Sequence, residues 1–97
     1  MKLLFIIFHF EYSDAIEELL DKHNVRDYVR HPMLESKDLD GKHFGTQVYP
    51  GNSSMVQAMV DEDELQPIMD ELQAFQQAKA SQHHVQAFVV PIEQRLG

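Results

Sequence analysis

The first ten residues, MKLLFIIFHF (1–10), decide the fold, because eight of them are apolar and only Lys2 and His9 interrupt the run. A membrane-spanning helix needs about 20 apolar residues, whereas the acidic segment EYSDAIEE (11–18) follows at once. A secretory signal would need small residues at a cleavage site after its apolar core, and none are present here. Since β-branched and aromatic residues favour strands, we predict a β-strand that is apolar on both faces.

Composition restricts the class of protein. The 97 residues are enough for a single domain, 1–97, and the formal net charge of −8 would repel a nucleic acid backbone. The absence of cysteine excludes disulfides and thiol chemistry. With no targeting signal in the sequence, we expect a cytoplasmic protein with no membrane insertion.

The rest of the chain predicts a helix, two extended segments, a second helix and a final strand. Ser13 is a good N-cap residue for the first helix, and Asp63 with Gln66 resembles a capping box at the second. Apolar residues at helical spacing give each helix one buried stripe. The predicted segments are helix 12–25, extended 26–34, polar loop 35–46, strand 54–60, helix 61–80 and strand 83–94.

The element order βαββαβ predicts a ferredoxin-like α+β fold, in which two helices cover one face of a four-stranded antiparallel sheet. The first strand then lies in the middle of the sheet, with one apolar face uncovered. Either Phe5 or Phe8 points to that face. Because a large exposed apolar surface marks an interface, we predict that the sheet packs against other subunits.

These features resemble the PII-like signalling proteins, small ferredoxin-like chains that form trimers through their sheets. The resemblance covers nearly the whole chain. Besides the opening strand, the matching segments are DAIEELLDKHNV (14–25), DGKHFGTQVYPG (40–51), MVQAMV (55–60), DEDELQPIMDEL (61–72) and VQAFVVPIEQRL (85–96).

The resemblance implies a homotrimer that senses a small ligand and acts through its loop, residues 35–46, on a protein partner. It also implies contacts of Gly41 and Lys42 with an anionic ligand. Tyr49, in the VYPG step at the base of the loop, and Arg95, which remains of the family's basic C-terminal pair, complete the predicted ligand-binding set.

Three features depart from the family pattern. The loop is shorter and lacks the usual glycine-and-glutamine run, and the basic C-terminal pair is reduced to Arg95. QAKASQHHVQ (77–86) stands where nucleotide-binding members carry a glycine-rich loop, and it contains no glycine. Phosphates are held by exposed backbone N–H groups or by several cations. The sequence therefore disfavours a nucleotide and leaves the cofactor open, with a divalent metal as the candidate.

Six histidines are many for a chain of this length. Imidazole suits zinc, copper, nickel and cobalt, and we predict His43, His83 and His84 as metal ligands, with His9 and His31 as further candidates. A trimer could also assemble such a site across subunits. The alternative for each histidine is an ordinary solvated or hydrogen-bonded side chain.

No pattern in the sequence supports catalysis: there is no cysteine, no nucleophile-elbow serine and no recognisable carboxylate pair. We therefore expect no enzyme. The first functional hypothesis is a PII-like regulatory protein. The alternatives are a metal-binding or metal-responsive trimer and a ligand-free structural or assembly module.

Overall fold

The computed structural model describes residues 1–38, 41–43 and 52–97. Short 3₁₀ turns precede the first helix and follow the second. Within the described ranges, no helix is both long enough and apolar enough to cross a membrane. The elements are β1 (Lys2–His9), α1 (Ser13–Lys22), β2 (Tyr28–Leu34), β3 (Ser36–Asp38), β4 (Gly41–His43), β5 (Ser53–Val60), α2 (Glu62–Ala78) and β6 (Gln86–Pro91).

The main sheet has the strand order β2-β5-β1-β6, and all of its neighbouring strands are antiparallel. β1 is central, as its apolar sequence predicted, and Phe5 lies opposite both Gln57 on β5 and Phe88 on β6. The ferredoxin-like α+β fold predicted from the sequence is confirmed.

One face of β1 packs under the two helices. Leu4, Ile6 and Phe8 are at most 1% exposed, in one cluster with the buried residues of both helices. The helix stripes predicted from the sequence are confirmed except for His23, which was expected on the α1 stripe but is half-buried outside the core cluster. The other stripe residues supply that cluster and the apolar side chains packed against it. They are Ile16, Leu19 and Leu20 on α1, and Leu65, Ile68, Met69, Leu72 and Phe75 on α2.

The other face of the main sheet carries apolar side chains that are only partly covered. Phe5 lies on this side, whereas Phe8 faces the helices. Val29 is 51% exposed, Phe88 48% and Val90 42%. We call this surface the open face; its apolar members are Leu3, Phe5, Ile7, Val29, Met55, Met59, Phe88 and Val90.

The predicted helix caps were wrong. Ser13 is the first residue of α1, and its Oγ donates a hydrogen bond to the carbonyl of Phe10 at 2.7 Å, inside the preceding 3₁₀ turn. α2 starts one residue after Asp61, whose carbonyl accepts a hydrogen bond from the N–H of Glu64. The helix therefore starts too early for a capping box at Asp63.

The predicted polar loop, 35–46, is partly a hairpin. β3 pairs antiparallel with β4, so that Ser36 lies opposite His43 and Lys37 opposite Lys42. Ser36 Oγ also hydrogen-bonds Ser53 Oγ of β5 at 2.6 Å, which ties the hairpin to the main sheet. Residues 39–40 and 44–46 of the predicted loop lie outside the described residues.

Candidate functional site

Three histidine side chains meet at one end of the sheet. His9, His43 and His84 each offer a ring nitrogen, and these nitrogens all lie within 4.8 Å of one another. His43 is buried, and the other two are half-buried. We call this group the histidine cluster.

The fold brings these residues together from three distant parts of the chain. His9 is the last residue of β1, paired with Ser53 of β5. Strand alternation places it on the same side as the open face. His43 is the last residue of β4, and His84 lies two residues before β6 begins. The Ser36–Ser53 hydrogen bond holds the hairpin against this end of the sheet.

The three rings pack directly on one another. The rings of His9 and His84 are stacked, with centroids 4.5 Å apart and planes 9° from parallel. The ring of His43 meets both edge-on, at centroid distances of 4.5 Å from His9 and 5.0 Å from His84. The three imidazoles therefore form one compact group at the end of β1.

A carboxylate lies close to the ring of His9. Oε1 of Glu11 lies 3.7 Å from Nδ1 of His9, while Nε2 of the same ring is buried. A negative charge on this side favours the tautomer with its proton on Nδ1, which leaves the lone pair on Nε2. A cavity of about 100 Å³ adjoins the cluster, lined in part by Ile7, His9, Ser53 and His84.

The structure includes two of the three predicted metal ligands, His43 and His84, in the cluster. It does not include the third, His83, which is exposed at the end of the 3₁₀ turn. Nor does His31 join the cluster, since its Nε2 is paired with Oε1 of Gln57 at 3.1 Å. His9 was only a further candidate in the sequence. The signal for it was a polar residue on the apolar side of the central strand.

The predicted anion-binding residues lie apart within one chain. Gly41 and Lys42 are in β4, beside the histidine cluster at the end of β1. Arg95 Nη1 donates to Sδ of Met1 at 3.2 Å, beyond the start of β1. At about 3.3 Å per residue, β1 separates the two places by about 23 Å. Tyr49 lies outside the described residues.

Glu71 on α2 contacts Lys22 and His23 at the end of α1, away from the histidine cluster. Glu71 accepts a hydrogen bond from Lys22 at 2.7 Å and contacts Nε2 of His23 at 3.0 Å. The hydrogen bond from Lys22, and then that from His23, lower the pKa of Glu71 below its ordinary value. This group stabilises the contact between α1 and α2 and lies apart from the candidate site.

Comparison with known proteins shows which class of protein has this fold. No family model matches the sequence, and no curated protein matches it either. Solved structures do match, and they are PII-like proteins, so the chain is PII-like in its fold. This confirms the resemblance seen in the sequence.

The individual matches cover most of the chain. CPII from Thiomonas intermedia, a nitrogen regulatory PII-like protein bound to ADP, AMP and bicarbonate, matches with a TM-score of 0.77 at 27% identity, over 91% of this chain and 81% of that one. Its apo form gives 0.70 at 25% identity, over 91% and 84%. A protein from Thermus thermophilus, described as a PII-like signalling protein, gives 0.66 at 17% identity, over 91% and 82%, and supports the fold alone.

Proposed function

We propose that this chain is a cytoplasmic, trimeric PII-like regulatory protein that binds a small ligand and acts through residues 35–46 on a protein partner. The observation that carries the proposal is the match to CPII over 91% of this chain and 81% of that one. A regulatory role also agrees with a sequence that has no pattern for catalysis.

The open face supports the trimer. Leaving a Leu, Ile or Phe side chain in water instead of burying it costs roughly 1.5–3 kcal/mol. The open face carries eight apolar side chains, four of them Leu, Ile or Phe and the other four Val or Met, and three of the eight are more than 40% exposed. Packing the sheets of three subunits around an axis would bury them, which is why we place the subunit interface there.

The ligand is proposed from the structural relatives and the charges on this chain. CPII has been solved with ADP, AMP and bicarbonate, so these are the compounds to test. Since Lys42 and Arg95 lie at opposite ends of β1, one anion would contact both only from two neighbouring subunits. Because segment 77–86 contains no glycine, we expect a nucleotide to bind more weakly than bicarbonate.

Titration calorimetry with ADP, AMP and bicarbonate tests this function. We expect heat with at least one of the three, and a loss of that heat in Lys42→Ala or Arg95→Ala. Lys22→Ala is the matched control, because it removes the same charge from the far side of the sheet. No heat with any of the three ligands, together with a monomeric mass in solution, would refute the proposal and favour a structural module.

The histidine cluster favours a second candidate function, a metal-responsive trimer. In that case the heat would come with a transition metal and not with an anion. His43 of the cluster and Lys42 are neighbours in β4, so this strand carries one residue for each candidate function.

A further inference from the structure

We propose that His9, His43 and His84 bind one divalent transition metal ion per chain, which is cobalt, nickel, copper or zinc. This inference deepens the second candidate function, on which it rests, by naming the ligands and the ion; it requires neither an anion nor a second subunit. It also changes the ligand set expected from the sequence, since His9 takes the place of His83.

The nitrogen atoms are close enough to reach a single ion. In a tetrahedral site with metal–nitrogen bonds of about 2.0–2.1 Å, two ligand nitrogens lie about 3.3 Å apart. The three nitrogens here are within 4.8 Å of one another, so rotations of the ring torsions that bring them about 1.5 Å closer would suffice. The adjoining cavity of about 100 Å³ has room for a water molecule on the ion.

The surroundings of His9 identify its ligand atom. Glu11 faces Nδ1, and Nε2 is buried. Histidine ligands in proteins commonly donate their other ring N–H to a carboxylate, which fixes the tautomer and makes the ligand nitrogen more basic. We assign this role to Glu11 as a positioning residue in the metal-bound state, once the 3.7 Å separation closes to hydrogen-bond distance. Nε2 is then the atom that would bind the metal.

The chemistry of the three side chains selects the ion. Neutral imidazole nitrogens suit zinc, copper, nickel and cobalt, whereas magnesium and calcium need oxygen ligands. The chain has no cysteine to offer thiolate, and among the described residues no carboxylate belongs to the cluster. Three nitrogen ligands leave the fourth tetrahedral position for water or another small ligand.

Binding would fasten the hairpin to the main sheet. The ligands belong to β1, to β4 and to the turn before β6, so one ion would connect three elements that are distant in sequence. His43 is the last residue of β4 and supplies the hairpin's bond to the metal. We therefore expect metal to slow hydrogen exchange in residues 41–43.

The test uses the full chain, with Zn²⁺ in calorimetry and Co²⁺ in visible absorption spectroscopy. We expect one ion per chain and the visible bands of tetrahedral Co²⁺, with no heat from Mg²⁺. Losing a group that only orients a ligand weakens metal affinity about 10- to 100-fold, so His9→Ala, His43→Ala and His84→Ala should each weaken Zn²⁺ binding by more than about 100-fold. His83→Ala is the matched control and should bind like the unmodified chain.

A role limited to ring packing gives a different result: no cobalt bands and no zinc heat in the unmodified chain, which overturns the proposal. Loss of binding in His83→Ala, or full affinity in any of the three cluster variants, overturns the ligand assignment.

Because removing buried His43 can disturb folding, His84→Asn provides a milder test with circular dichroism as the check. Glu11→Gln should keep the cobalt spectrum and one ion per chain, with weaker affinity. Light scattering and the anion titrations test the proposed trimer and its anionic ligand, so their outcome is independent of the metal measurements.

Discussion

Replacing Phe88 with aspartate places a carboxylate on the open face, directly opposite Phe5. Phe88 is 48% exposed in the single chain, so assembly can still bury about half of a side chain whose full burial is worth about 1.5–3 kcal/mol. The loss is then about 1 kcal/mol per subunit, or about 3 kcal/mol for a closed trimer. That equals about a 100-fold weaker association, and a desolvated, unpaired carboxylate adds several kcal/mol more.

Light scattering at micromolar concentration measures the effect. The unmodified chain should have three times the subunit mass of 11.3 kDa, and Phe88→Asp should shift it towards the mass of one subunit with its circular dichroism unchanged. Phe10→Asp is the matched control. Phe10 is 52% exposed but lies in the 3₁₀ turn after β1, away from the open face. It should leave the mass unchanged.

A trimeric mass for Phe88→Asp would refute the assignment of the open face as the interface. Equal dissociation of Phe10→Asp would show that any added charge disrupts the assembly. A monomeric mass for the unmodified chain would remove the trimer itself.

Phe8 is 1% exposed under the helices, so Phe8→Ala should lower the free energy of unfolding by about 3–5 kcal/mol in urea denaturation; a much smaller loss would place it outside the core. Lys22 and then His23 hold the pKa of Glu71 below its ordinary 4.5, so its ionised form stabilises the fold above that pH and the contribution is lost as pH falls through the lower folded-state pKa. The difference in urea midpoint between the unmodified chain and Glu71→Gln should therefore be largest at neutral pH and shrink in acid, and a constant difference would contradict this. Lys42→Ala should weaken an anionic ligand more than a metal, and His43→Ala the reverse, in calorimetry; equal losses for both ligands would show that the hairpin acts through folding.

The sequence predicted the sheet and the helices because their hydrophobic periods report burial directly. Leu4, Ile6 and Phe8 alternate with Leu3, Phe5 and Ile7, and the structure buries the first set under the helices. Apart from His23, both helix stripes were correct for the same reason. After α1, Asn24 adopts the left-handed conformation with φ of 61°, as its short polar side chain allows.

The helix starts were harder to place, because neighbouring residues could serve equally well. Four consecutive acids, DEDE (61–64), offer several N-cap candidates for α2, and Asp61 holds that position. β5 ends at Val60 and the helix begins at Glu62, so Asp61 is the residue between them. As a result Pro67 is the sixth residue of the helix. The local sequence does not show where β5 ends.

The histidine cluster could be predicted only in part, because its contacts join residues 9, 43 and 84. Such contacts depend on the hairpin β3–β4, whose polar sequence resembles a loop and has no apolar alternation. His83 and His84 are adjacent, and only the 3₁₀ turn before β6 determines which of them faces the sheet. The side-chain direction follows from the tertiary fold.

Hydrogen exchange of residues 35–46 tests the central claim, a PII-like protein that responds to a small ligand through this segment. Exchange is measured on the free chain and after addition of ADP, AMP, bicarbonate or Zn²⁺, with the β1 amides as an internal reference. We predict that at least one of these ligands slows exchange in this segment relative to the free chain, while exchange of the β1 amides stays the same. Deuterium uptake in this segment that stays unchanged with every ligand would contradict the claim.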